Sequence, residues 1–341
     1  MATLESDIAR LGERGLDAHT LRMEAMERVR RVVDVDGYCF VSVDPRTLAQ
    51  TSVATWNVDR RGAPLIYRNE YEQPDVAKHA DLAASRHPVR ILSHATKGRP
   101  ERSARYRELL APWGIPHELR AAVRERGSTW GFIHLYRGHG RRDFNADEAA
   151  VVERATRAIA PLLRAAVVGH AQVPAAQAPA LVMLDGLNAI SEATGGGHAW
   201  LDALRDPADP GQAVPEVLVT LSAWARAIAA RGSADAARAV MPGRDGAWYS
   251  LHAAATDADR VAVIVQPARG AELVPLLLSR HGLTRAEQEV TELVLQGRST
   301  KEIARDLVIS PHTVQDRLKA VFEKVGVRSR RELVAQLNSP G

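Results

Sequence analysis

The spacing of apolar residues changes period several times along the 341-residue chain, and each change marks a boundary between elements. From Leu4 to Val33 the apolar positions Leu21, Met26, Val29 and Val33 recur at helical spacing, in two pieces joined near Gly15 to Ala18. Tyr38 to Val43 and Gln50 to Trp56 instead carry the β-branched and aromatic residues of strands, and Asp44-Pro45 closes the first, so the two read as an antiparallel pair. Pro74 to Ser85 and Arg102 to Leu110 read as helices set in irregular chain. Leu119 to Val123 and Trp130 to Tyr136 form a second strand pair across Arg126-Gly127-Ser128, and an amphipathic helix from Asp143 to Val168 closes the unit.

Ala171 to Ala180, rich in Ala, Pro and Gln, reads as a linker. After it, two apolar runs flank Asp185-Gly186, a hairpin signal because both turn residues tolerate positive φ. A loop at Gly195 to Gly197, a helix from Pro215 to Ala230, a hairpin across Gly243 to Gly246 and a strand from Val261 to Val265 follow. Glu272 to Arg280 reads as a connecting helix. Both halves are helices on antiparallel strands, an α+β fold class.

The last 60 or so residues change pattern again. Thr284, Ser299 and Ser329 are each followed three places later by Glu (Glu287, Glu302, Glu332), the signature of a capping box, and Ser310-Pro311 marks a fourth helix start. Val314, Leu318, Val321, Phe322 and Val325 form one stripe of the third helix, leaving His312, Gln315, Asp316 and Lys319 opposite, and Gly326 ends it. Only Val308 and Ile309 separate Leu307 from the cap of that helix, so the second and third helices meet at a sharp angle, a helix-turn-helix.

Charge sharpens this. The formal net charge is +4, and from Arg298 onward nine bases against five acids leave the same +4, so the basic character sits in the helical tail and suits phosphate contacts. Cys39 is the only cysteine, which excludes an intramolecular disulfide and a thiolate metal cluster and suits a reducing cytoplasm. The longest uncharged run, about Ala165 to Leu184, is interrupted by prolines and is expected to be a linker entering a strand, not a membrane span. No phosphate-binding Gly-Lys loop, H-E-x-x-H, paired Cys-x-x-Cys or G-x-S-x-G turn occurs, and His79, His87, His134 and His139 have no carboxylate at ligand spacing. No catalytic residue, metal ligand or cofactor is therefore expected.

Glu287 to Val290, Gly297, Ser299 to Ala304, Ile309 to Val314 and Lys324 to Arg330 resemble the DNA-binding domain of LuxR-type (NarL/FixJ-type) bacterial regulators over about 283–337. That resemblance implies an all-α four-helix domain whose third helix enters the major groove and whose fourth helps form a dimer. By position it places Gln315, Asp316 and Lys319 where the family reads base edges, and Lys301, Thr313 and Arg317 where it holds phosphates. Arg317 departs from the His or Tyr common there and adds a cation beside the backbone. Asp316 is expected to read a cytosine N4 donor or to repel wrong sites.

His117 to Ala166, with Trp130 to Arg137 followed by Phe144 and Asp147-Glu148, is similar to the end of a GAF domain. GAF domains commonly hold a small molecule between sheet and irregular middle, which makes Trp56, Tyr67, Trp113, Trp130 and Phe132 candidate lining groups, with plain core packing as the alternative. The next segment resembles a PAS-like domain with a short helical middle. The implied organisation is a GAF-like sensory domain at 1–168, a linker at 169–180, a PAS-like domain at 181–270, a connecting helix at 271–282 and the helix-turn-helix domain at 283–341. The implied function is a cytoplasmic, ligand-responsive transcription factor that binds double-stranded DNA as a homodimer at an inverted repeat. A small-molecule effector is its expected ligand and RNA polymerase a further candidate partner, with no membrane contact. The alternative is a regulator whose front domains bind a partner protein.

Overall fold

The computed structural model describes residues 3–169, 178–194, 196–205, 213–233, 235–257, 259–268, 272–274, 278 and 281–338. The expected linker at 169–180 and the expected connecting helix Glu272 to Arg280 fall largely outside the described residues.

The front of the chain is a five-stranded antiparallel sheet of β1 (Gly37–Val43), β2 (Gln50–Trp56), β3 (Val89–Ile91), β4 (His117–Glu125) and β5 (Ser128–Arg137) in the order β2-β1-β5-β4-β3. Helices α1 (Leu4–Ala9), α2 (Ala18–Arg30) and the long α6 (Ala146–Val168) share one core with it. α6 starts where Asn145 and Glu148 exchange capping hydrogen bonds, and it buries Val152, Ala155, Ile159 and Leu163 at helical spacing. The sheet's other face is covered by the chain between β2 and β4. This segment departs from the sequence expectation: α3 (Ala63–Tyr71), β3 and α5 (Leu92–Ala95) had not been anticipated, while the helix expected at Pro74 to Ser85 shrinks to α4 (His79–Ala84) and that at Arg102 to Leu110 to one wide turn, Tyr106–Leu110. The elements are too short for periodicity to reveal, and they are held by buried ion pairs rather than an apolar stripe.

A second five-stranded antiparallel sheet comprises β6 (Ala180–Leu184), β7 (Ile190–Ala193), β8 (Ala237–Pro242), β9 (Trp248–Ala255) and β10 (Val261–Pro267), in the order β7-β6-β10-β9-β8. Both sheets therefore run second, first, fifth, fourth, third strand. α7 (Gly197–Leu204) and α8 (Glu216–Ala230) pack on this sheet. The first hairpin forms, but Asp185-Gly186 is not its two-residue turn. The loop runs from Asp185 to Ala189 because the Asp185 carboxylate accepts from Leu187 N and Ala189 N at 2.9 and 2.8 Å, and Asn188, not Gly186, takes the positive φ.

α8 is buried nearly all round, including Val217, Leu221, Ser222 and Ala225, which is how a helix reads when it has neighbours on every side. It packs on β8, β9 and β10 and also on α3 and β2 of the front sheet. Tyr71 and Trp224 stack across that junction, with ring centroids 6.1 Å apart.

Four helices end the chain: α9 (Arg285–Leu295), α10 (Thr300–Asp306), α11 (Pro311–Val325) and α12 (Arg330–Asn338). They share a core of Val290, Val294, Ile303, Val314, Leu318, Val321 and Leu333. No helix among the described residues is long and apolar enough to cross a membrane.

Candidate nucleic-acid interface and sensory cavity

The four helices begin where their caps were expected. Thr284 Oγ1 accepts from Glu287 N while Thr284 N donates to the Glu287 carboxylate, and Ser299 and Glu302 repeat the exchange. At the last start Ser329 Oγ accepts from Glu332 N at 3.2 Å as expected, and only the return arm shifts, the Glu332 carboxylate accepting from Arg328 N instead of Ser329 N. Ser310 Oγ accepts from Thr313 N, and Gly326, at φ 81°, closes α11 in the left-handed conformation that glycine adopts without a Cβ penalty. Glu287 also accepts two 2.7 Å hydrogen bonds from Lys324, tying the start of α9 to the end of α11. Burial raises the Glu287 pKa, but Lys324 and the Thr284 amide outweigh it and hold the carboxyl below its usual range.

With Val314, Leu318 and Val321 turned inward, α11 presents Gln315, Asp316 and Lys319 together to solvent. Thr313 and Arg317 flank them half-buried, and Lys301 is exposed on α10. Asp316 is held by His312 Nδ1 at 2.8 Å, one helical turn back, a tether that spacing permits and residue type alone did not reveal. The second and third helices are joined through Val308, whose φ is 53° and whose side chain is 90% exposed.

The face of the front sheet under α3 and α4 sets buried ion pairs among apolar residues. Cys39 lies directly opposite His134 on β5, and Arg120 on β4 lies on His134's other side. Arg105 holds Glu118 through Nε and Nη2 at 3.0 and 2.8 Å, Arg120 Nε meets the other Glu118 oxygen at 3.0 Å, and Arg120 also bonds Glu70. All four side chains are essentially inaccessible. Burial alone would push the carboxyls up, but neighbouring cationic side chains reverse that and lower both, His79 and then Arg120 for Glu70, Arg105 and Arg120 for Glu118.

His79 and His134, 55 residues apart, meet Nε2 to Nε2 at 2.9 Å, and His79 stacks on Phe132 at 3.9 Å. Burial drives the His79 imidazole down to about 4 against the pull of Glu70, and it also holds His134 well below the usual histidine range. His79 Nδ1, 3.9 Å from Glu70, has no hydrogen-bond partner among the described residues. Beside this cluster a cavity of about 40 Å³ is lined by Cys39, Gln50, Thr55, Arg60, Tyr67 and His134, and by Glu216 from α8. Burial pushes the Cys39 thiol up to about 12, so it is a neutral, inert group there.

The five candidate aromatics do not share one cavity. Tyr67 lines it. Phe132 and Trp113 belong to neighbouring apolar clusters of the same region. Trp130 joins the α1–α2–α6 core, and Trp56 stacks on Tyr38 under the Arg30 guanidinium. The cavity's polar residues, Gln50, His134 and Glu216, escaped the sequence reading because strand register and domain packing, not spacing, bring them together.

No group of three or more metal-ligating side chains occurs among the described residues. Ser250, His252 and Glu272 do cluster, but His252 Nε2 faces both Ser250 Oγ (3.0 Å) and Glu272 (3.2 Å). A relay needs the two ring nitrogens to serve different partners, which this arrangement does not supply.

The family model for bacterial regulatory proteins of the luxR family matches residues 281–337, and the GAF domain model matches residues 17–163. Spore germination protein GerE of Bacillus subtilis (strain 168) is 44% identical over 55 residues, which are 16% of this chain and 74% of that protein. The chain belongs to the luxR family. It is also similar to transcriptional regulatory protein DesR of Bacillus subtilis (strain 168), 41% identical over 59 residues, 17% of this chain and 30% of that one. Among solved structures, the GAF domain of an Acinetobacter phosphoenolpyruvate-protein phosphotransferase is similar over 48% of this chain and 94% of its own, at 13% identity and a TM-score of 0.34. This luxR-family regulator thus joins a GAF domain to a C-terminal helix-turn-helix domain.

Proposed function

We propose that the protein is a ligand-responsive transcription factor, not an enzyme, that binds duplex DNA sequence-specifically as a dimer. The observation that carries the reading is the exposed face of α11, where Gln315, Asp316 and Lys319 stand side by side on a helix fixed by caps at both ends. Lys319 and Gln315 read base edges in the major groove, with Lys301, Thr313 and Arg317 on phosphates. Asp316, tethered by His312, excludes sites that would set phosphate or a base acceptor against it. In a two-fold dimer each protomer reads one half of an inverted repeat.

The effector occupies the GAF domain. The cavity bearing Gln50, Tyr67 and His134 supports this, because these lining residues are buried and Gln50 Nε2 lacks a hydrogen-bond partner among the described residues. Its small volume limits the guest to a few heavy atoms unless α3 moves. The second sheet, whose strand order repeats that of the first, supports a PAS-like reading in which the central domain passes the signal on. The deciding test is an electrophoretic shift series on selected operator and scrambled DNA. Lys319→Ala is expected to lose preference for the operator while retaining weak general binding; unchanged preference would remove α11 from the groove.

A further inference from the structure

A second and larger space lies between the two sheets, away from the GAF cavity. This cleft, about 700 Å³, is walled by α2 and β1 on one side and by α7 and the β8–β9 hairpin on the other. Its volume falls in the range of small-molecule sites, which favour domain junctions. The junction is pinned alongside: Asp44 Oδ2, on the loop after β1, accepts from Val240 N on β8 at 2.9 Å.

The wall has a consistent chemistry. Val43, Ala203, Leu204, Val240 and Met241 supply an apolar surface from both domains. Its two acids are already engaged. Asp17 takes His19 N, Thr20 N and the Thr20 hydroxyl, and Asp245 takes Ala247 N and the Tyr249 hydroxyl. Two buried donors remain. Ser42 Oγ and Trp248 Nε1 belong to lining residues that are 4% and 1% exposed, and neither atom has a hydrogen-bond partner among the described residues. An indole N–H can only donate, so the group that satisfies it must be an acceptor. The guanidinium groups of Arg22 and Arg244 add positive charge to the same wall.

We infer that this interdomain cleft is a binding site for a small apolar molecule ending in a carboxylate, of the medium-chain fatty-acid class. The carboxylate accepts from Trp248 and Ser42 near the guanidinium groups, and the chain lies along Val43, Leu204 and Met241. Because its walls belong to both domains, a bound acid ties them together and stabilises the full chain by mass action.

The test titrates nonanoate, and 1-nonanol as its uncharged counterpart, into the full-length protein by calorimetry and thermal shift. Saturable one-to-one binding of nonanoate is expected, at least tenfold tighter than nonanol. Ala203→Trp, which fills the cleft, and Trp248→Phe, which keeps the shape but removes the donor, should each weaken nonanoate at least tenfold. Thr55→Leu, which narrows only the GAF cavity, should leave it unchanged, so failure of the GAF effector reading and failure of this site are separable. Absence of saturable binding at millimolar nonanoate, equal binding of nonanol, full affinity in Trp248→Phe, or loss in Thr55→Leu overturns the assignment.

Discussion

Arg60 and Glu216 face each other at 2.7 Å, one ahead of α3 in the GAF domain, the other at the first position of α8 in the central domain. Glu216 is 7% exposed, and burial raises its carboxyl pKa against the pull of Arg60. Both line the GAF cavity, so whatever enters there meets a residue of the next domain. Arg60→Ala should therefore destabilise the chain by about 2 kcal/mol, because removing one partner of a buried pair leaves the other in a poor dielectric. Adding Glu216→Gln to it should recover part of that loss. Urea denaturation of the two variants checks this; a double variant no better than Arg60→Ala would show that charge is not what binds the domains.

The turn of the helix-turn-helix carries local strain. A β-branched residue is disfavoured at the 53° φ that Val308 adopts, and its side chain, 90% exposed, gains nothing in packing. Asn tolerates that conformation. Val308→Asn should raise stability by about 0.5–1 kcal/mol, seen as a higher Tm.

Phosphate and base contacts predict different phenotypes. Lys301→Ala should weaken DNA binding about equally on all sequences and reduce the slope of log affinity against log salt by about one. Gln315→Ala should leave that slope unchanged and relax preference at one base position, costing roughly 1–3 kcal/mol on the preferred site. Fluorescence anisotropy over a salt series distinguishes them.

Glu287 links a cap to a tertiary ion pair. Its folded pKa is held below the unfolded value, so its contribution is complete above the unfolded pKa and is lost as pH falls through the folded one. Glu287→Gln should cost about 1 kcal/mol at pH 7, in line with loss of a partly exposed pair and of the charge on the capping acceptor, since Gln still accepts from the Thr284 amide. The gap between variant and wild type should narrow once pH falls below the unfolded value of about 4.3. Denaturation midpoints at pH 7, 5 and 3.5 test both statements.

The helical tail was legible because every determinant is local: a cap and its glutamate lie three residues apart, and the stripe from Val314 to Val325 repeats within one helix. The strand pairs were legible for the same reason. What spacing could not show is contact created by register. His79 and His134 read as isolated histidines, yet β5 places His134 beside Cys39 and Arg120, and α4 lowers His79 onto it. The aromatic residues misled in the opposite direction. Trp56 and Trp130 are large and conspicuous in the sequence, but Trp56 meets Tyr38 and Arg30 and Trp130 the α6 core, while Gln50 and Glu216 reach the cavity.

The histidine pair also gives the protein a pH dependence whose sign can be worked out. His79 titrates at about 4 in the fold because burial penalises the imidazolium, against about 6.5 for an exposed histidine in the unfolded chain. Between these values the unfolded chain binds more protons, so stability is complete above about pH 6.5 and is lost as pH falls toward 4. The loss amounts to about 3 kcal/mol for this residue, taking each pKa unit as about 1.4 kcal/mol. His134 adds to it in the same direction. His79→Asn sacrifices the stack on Phe132, so its absolute stability at pH 7 should fall. Its stability should nonetheless vary less with pH, because one of two titrating groups is gone. Equilibrium urea unfolding at pH 7.5, 6, 5 and 4.5 reads the two slopes. A His79→Asn slope as steep as that of the wild type would mean that His79 is already charged in the folded protein and pairs with Glu70.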